Sequence, residues 1–180
     1  RLEKLGVLIK GNGDTPVLVN AFSTLGINQT LRILDGMFAI ALFDIERKLL
    51  YLIRDFAGIK PLYFGINKKG AVFASQFNQI AKHKYFQNNQ VNFNVLKLFL
   101  HQQYVPAPYA LFEETHQVRP GEIVSINQYG ELKKERYWEF AKHVPLSSFT
   151  RSEAIKLDSD LHFPLGFIPC VTIIMGLFGK

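Results

Sequence analysis

Cysteine is almost absent from this chain. Cys170 is the one thiol in 180 residues, which excludes an internal disulfide framework and a cysteine-based metal site. The five histidines, at 83, 101, 116, 143 and 162, show neither HxxxH nor HExxH spacing, so no metal is expected. Long basic runs are missing too. The net charge is +6, but its cations are scattered in short groups: Lys68-Lys69, Lys82 with Lys84, and Lys133-Lys134. A nucleic-acid groove gathers its cations on one face; these read as a solvated surface, and no nucleic-acid partner is expected. No apolar run reaches the ~20 residues of a membrane helix. The nearest, Phe163 to Phe178, is interrupted by Pro164, Gly166, Pro169 and Gly176. The opening RLEKLG is polar and amphipathic rather than a signal peptide. It does not begin with Met, which reads as a lost start. A cytoplasmic protein without a membrane partner is the expectation.

What is present is core material. Hydrophobic residues make up 48% of the chain, with 16 Phe among them, so the sequence is not of the disordered kind. The length suits one domain, or one domain and part of a second. Met37 to Phe43 is apolar at every position, and Leu49 to Ile53 repeats the pattern after the polar turn Asp44-Ile45-Glu46-Arg47. A strand buried on one face alternates polar and apolar residues. These do not, so they predict a sheet covered on both sides.

Around them the sequence predicts a helix that starts with Asp14 or Thr15 as cap and Pro16 in its first turn. It continues through Val17, Leu18, Ala21, Phe22 and Leu25 and is stopped by Gly26. A short helix over 28–34 follows. Pro61 to Phe64 reads as a third strand and Ala71 to Ser75 as a fourth, completing a meander. Helices are expected over 77–83 and 94–102, the latter with Val95, Leu98 and Phe99 inward. Tyr104 to Pro108 should be extended. Arg119 to Glu122 makes a tight turn into strand 123–126, and 131–138 returns.

Several segments resemble one family, in order: NGDTPVLVNAF, LDGMFAIALFD, RDFAGIKPLYF, FASQFNQI, YVPAPYALFEETHQVRPGE and ERYW. Together they are similar to the glutaminase domain of glutamine-hydrolysing asparagine synthases, which are class II glutamine amidotransferases. The resemblance spans roughly residues 1–138. It implies an α+β fold, the four-layer αββα sandwich of the N-terminal-nucleophile hydrolases, here lacking its N-terminal strands. It divides the chain into a partial glutaminase domain over 1–144 and, over 145–180, a linker with a degenerate start of the ATP-dependent synthetase domain. In such enzymes glutamine is hydrolysed in the first domain. The ammonia attacks an aspartyl adenylate made in the second, with ATP and Mg, and the intact parent is expected to form a homodimer.

The family's nucleophile is an N-terminal cysteine whose thiolate attacks the glutamine amide, helped by an upstream Asn-Gly pair at the oxyanion. Residue 1 here is Arg1, and Asn12-Gly13 is not that pair. Cys170 reads as an apolar filler, so no catalytic residue is assigned. Asp14 matches the aspartate that binds the α-amino group of glutamine, an acceptor-only anion facing an ammonium; helix capping is its other reading. Arg54 and Asp55 end a buried strand and read as a charge pair fixing the Gly58 loop, because a buried charge needs a partner. Tyr104 to Pro108 and Trp138 are expected to face a second domain. In the tail, Ser152 to Ile155 begin a helix, and Ser159-Asp160 and Pro164 to Gly166 resemble remnants of the synthetase entry strand. No SGGxDS loop follows, so no ATP-binding residue is assigned. A frameshift would produce such a tail, which shows neither helical nor strand logic. Loss of the N-terminal strands would leave a sheet edge unpaired and apolar surface exposed, so aggregation is expected, with the tail from Phe167 to Phe178 adding to it. The chain reads as an inactive fragment of such a synthase. The other readings are a non-catalytic, glutaminase-like scaffold module, or a piece of a related amidotransferase with another acceptor.

Overall fold

The computed structural model describes residues 13–139 and the strand over 171–177. Helix α1 (Asp14–Leu25) starts behind Gly13, whose φ of 99° sets the turn into the helix, and no side chain caps it. Asp14 is therefore the first helical residue and not the expected cap. Its carboxylate lies in the first turn, where the helix dipole favours an anion. Leu18, Ala21 and Phe22 are buried, and Gly26 ends α1 and caps α2 (Ile27–Ile33).

Strands β1 (Phe38–Asp44) and β2 (Leu49–Arg54) pair antiparallel, Ile40 opposite Ile53. Successive side chains of a strand point to opposite faces, and here both faces are filled. Phe38, Ile40 and Leu42 pack with Leu18, Phe22 and Leu31 of the helices. Ala39 and Ala41 pack with Leu62, Phe64 and Val118 on the other side. The continuous apolar run is thus two cores read alternately.

The remaining strands are β3 (Tyr63–Asn67), β4 (Gly70–Ala74), β5 (Thr115–Gln117), β6 (Glu122–Asn127), β7 (Leu132–Arg136) and β8 (Val171–Leu177). They form one sheet in the order β7-β6-β2-β1-β8 and a second in the order β4-β3-β5. The predicted meander does not form. The second neighbour of β2 is β6, and β3 with β4 belongs to the other sheet. The physical reason lies in the 55–62 loop, which leaves the first sheet and delivers Leu62 to Val118, whose N–H it accepts at 2.9 Å. Strand β5 went unpredicted because three residues, Thr-His-Gln, carry no alternation.

Helix α3 (Phe77–Ala81) lies on the outer side of the second sheet, touching β3 and β4, with Phe77 against the Tyr63 ring. The layers are then α1 and α2, first sheet, second sheet, α3. This is the α+β, αββα arrangement the resemblance implied. Beyond it, α4 (Phe93–Gln102) is capped by Asn92, whose side chain accepts the N–H groups of Asn94 and Val95. Val95 is buried as expected, but Phe99 is 41% exposed. It sits in the last turn, just before Gln103 takes a left-handed conformation and the chain departs. Tyr104 to Pro108 is not simply extended: Tyr109 N–H closes a turn onto Pro106 O at 3.0 Å, and the Ala107–Pro108 bond is cis.

The tail corrects a further expectation. Val171 to Leu177 forms a strand, parallel to β1 and in register from Phe38↔Val171 to Asp44↔Leu177. A short apolar run rich in β-branched residues suits a strand, and the neighbouring Pro and Gly obscured it. Strand β8 lies beside β1 and forms that edge of the sheet.

Candidate functional site

The most connected polar group in the described structure lies where β2 ends. Burial alone would make an Arg-Asp dipeptide there costly, and both residues are buried, Arg54 at 7% and Asp55 at 0% exposure. The Arg54 guanidinium donates to three backbone carbonyls: Nε to Lys60 at 2.8 Å, Nη1 to Val118 at 2.8 Å and Nη2 to Gly58 at 2.6 Å. The Asp55 carboxylate accepts the N–H groups of Ile59 and Lys60, each at 3.0 Å. The Asp55 carbonyl accepts from Gly58 and Gly121, also at 3.0 Å. Tyr137 completes the knot, its hydroxyl donating to Arg54 O at 2.8 Å.

The expected pair therefore fixes the Gly58 loop, but each charge is partnered by backbone. Side-chain ion pairs within 4.0 Å occur elsewhere, at Asp44–Arg47, Arg119–Glu122 and Lys133–Glu135. Burial pulls the Arg54 pKa below its usual value, opposed by the charge of Asp55 nearby; guanidinium remains protonated regardless. Burial raises the Tyr137 phenol, and Asp55 adds to the effect, so this hydroxyl stays a donor. Gly58 and Gly121, at φ of 69° and 66°, allow the close turns. A Cβ on Gly58 would meet Pro120 at 2.6 Å. Every hydrogen-bonding position of both side chains that the knot uses points at the protein's own backbone, which is scaffold chemistry.

Sequence reading picked out Arg54, Asp55 and Gly58 but missed Val118, Gly121 and Tyr137. The ERYW segment that carries Tyr137 was the available signal. Trp138, beside it, is half-buried, its ring tilted 50° against that of Phe56 with centroids 5.2 Å apart. Tyr104 and Tyr109 are exposed.

Asp14 stands apart from the knot, exposed in the first turn of α1. It lines neither a 490 Å³ cavity bounded by Arg32, Asp35, Phe56 and Trp138 nor a 610 Å³ groove along α4 at Asn92, Leu98 and Tyr109. Among the described residues, no group of three or more His, Cys, Asp or Glu could hold a metal. None of their helices is long and apolar enough to cross a membrane. Arg1, Asn12, the tail residues Ser152 to Gly166 and Cys170 lie outside the described residues.

The glutamine amidotransferase domain family matches residues 1–138. The chain belongs to that family. Among similar proteins, a putative glutamine-hydrolysing asparagine synthetase 2 of Methanocaldococcus jannaschii is 25% identical over 80% of this chain and 28% of its own length. Asparagine synthetase 1 of Bacillus subtilis is 28% identical over 77% of this chain and 21% of its own. The chain thus spans about a quarter of the length of these relatives. A solved glutamine phosphoribosylpyrophosphate amidotransferase from B. subtilis is 22% identical, covering 76% of this chain and 25% of that one, at a TM-score of 0.48. As a glutamine amidotransferase domain, the chain belongs to a family whose substrate is glutamine.

Proposed function

We propose that this chain is the glutaminase portion of a glutamine-hydrolysing asparagine synthase, and that in its present 180 residues it keeps the scaffold without the reaction. The observation that carries this is the family match over residues 1–138, with asparagine synthetases similar across about 80% of the chain. The parent would hydrolyse glutamine and pass ammonia to an activated aspartate. In this chain the only thiol is Cys170, far in sequence from the matched region's start, and no residue is assigned as nucleophile. The proposed division stays at 1–144 for the glutaminase part and 145–180 for the remainder. ATP and Mg belong to the parent's second domain. These 180 residues hold no SGGxDS loop to cradle a pyrophosphate, so they do not fit that ligand. A cytoplasmic setting, a homodimeric parent and the lack of nucleic-acid or membrane partners complete the reading.

Asp14 is the proposed glutamine contact. It presents an exposed carboxylate at the start of α1, and a carboxylate–ammonium hydrogen bond is charge-assisted. A single such contact supports a dissociation constant of about 1 mM or weaker. Titrating L-glutamine while following backbone amides by NMR tests this. Shifts centred on Gly13 to Val17, abolished by Asp14→Asn, are expected. Saturating shifts that survive Asp14→Asn, or no shifts at tens of millimolar, would contradict the assignment.

A further inference from the structure

The 490 Å³ cavity beside the knot has two unlike walls. One is aromatic. Phe56 follows Asp55 directly, and Trp138 N–H donates to Gly121 O at 3.3 Å, so the knot holds the backbone of both. Their rings are half-buried and line the cavity as a tilted pair. The other wall is charged. Arg32 sits in the last turn of α2, Asp35 lies just beyond that helix, and Arg136 ends β7. All three are exposed and line the same cavity. Among the described residues, no hydrogen bond or ion pair engages these three side chains. The remaining charge on this wall, Glu135, is paired with Lys133 at 3.7 Å. The contrast with Arg54 is plain: its three nitrogens each meet a backbone carbonyl, whereas Arg32 and Arg136 present theirs to the cavity unused.

We propose that this cavity binds a nucleoside monophosphate, with Arg32 and Arg136 on the phosphate, Asp35 on a ribose hydroxyl, and Phe56 and Trp138 against the base. The volume falls within the range of about 300–1,000 Å³ usual for small-molecule sites. A phosphate monoester carries a charge of about −1.5 to −2 at neutral pH, which two guanidiniums balance. Their planar forks also match its oxygens. A carboxylate only accepts hydrogen bonds, so Asp35 suits a hydroxyl and not a phosphate oxygen. Every base has a π-face to lay on an aromatic ring. An amino acid has one carboxylate and would leave a guanidinium without an anion. A nucleic-acid strand needs a cationic groove along its backbone, and here Asp35 and Glu135 interrupt the cations. Asp14 does not line this cavity, so the site is independent of the glutamine contact proposed above.

Trp138 is the chain's single tryptophan, so its fluorescence reads this cavity alone. Titrating AMP into the 180-residue chain should quench it saturably, with half-saturation at about 1 mM or below. Arg32→Gln and Arg136→Gln should each raise that concentration at least ~10-fold, as loss of a hydrogen bond to a charged group does. Adenosine, which lacks the phosphate, should bind weaker than AMP by at least the same factor. No saturation by ~10 mM AMP, adenosine binding as tightly as AMP, or both arginine variants binding AMP unchanged would overturn the proposal. Saturable quenching by L-phenylalanine but not by AMP would overturn it too, in favour of an amino-acid site. If an arginine variant does not fold, competition on the unmodified chain decides. Ribose 5-phosphate should displace AMP, and failure to do so contradicts the assignment of the two arginines to the phosphate. Each of these failures leaves the NMR test of Asp14 with glutamine unaffected.

Discussion

Arg54→Ala is expected to lower the unfolding free energy by about 4 kcal/mol. The guanidinium supplies one donor each to the Gly58, Lys60 and Val118 carbonyls, and its loss leaves these carbonyls short of a partner. A buried polar group left unsatisfied costs about 1–3 kcal/mol. The neighbouring Asp55, fully buried, would also lose a favourable charge nearby. Against a typical stability of about 5–15 kcal/mol, this removes a large fraction. Arg54→Lys should recover less than half of it, because an ammonium is a point charge and cannot present the planar fork. Urea unfolding of the three proteins measures the series. A midpoint for Arg54→Ala within ~0.5 kcal/mol of the unmodified chain, the size of an ordinary surface substitution, would mean that the knot does not hold the fold.

Gly121→Ala should be nearly as damaging, by a different route. Gly121 has φ of 66°, and an added Cβ would lie 2.6 Å from the Trp138 carbonyl oxygen, a backbone atom that cannot swing aside. The left-handed conformation costs an alanine about 1–2 kcal/mol, and overpacking adds about 1–3 kcal/mol. The sum, about 3 kcal/mol, comes with strain on the hydrogen bonds that Gly121 O accepts from Tyr137 and Trp138. Gly130 supplies the control. Its φ of 82° is also positive, but the nearest atom to its Cβ position is Ile66 Cδ1 at 4.0 Å, an ordinary contact, so Gly130→Ala should show the conformational cost alone. Equal losses for the two variants, measured by urea unfolding, would show that the turn at Gly121 is not packed against the end of β7.

Much of the fold could be read from the chain because its local signals agree. The apolar run in β1 required two covered faces, and the structure fills one with Phe22 and Leu31 and the other with Phe64 and Val118. Strand partners were less legible. The neighbour of β2 is β6, far along the chain, and burial patterns do not encode which doubly covered strand lies beside which. The single meander failed for this reason. The tail misled because prolines and glycines at 164–169 masked a strand whose stability comes from an edge elsewhere. At the candidate site, Arg54 and Asp55 declared themselves as charges ending an apolar strand. Their partners did not, because one of them is a carbonyl 64 residues further on. The cap at α1 was misassigned because Gly13, free to adopt positive φ, starts the helix one residue before the carboxylate.

These features place the segment from Leu34 to Phe64 in scaffold. The knot secures the passage from the first sheet to the second, and its polar atoms face backbone. The proposed separation of scaffold from reaction therefore rests on one assay. Purified as the 180-residue chain and shown to be folded by slow exchange of Ile40 and Leu42, the protein should release no ammonia from L-glutamine above a buffer blank. Ammonia release that saturates with glutamine and tracks the folded protein through purification would contradict the account, and would require a nucleophile among these 180 residues.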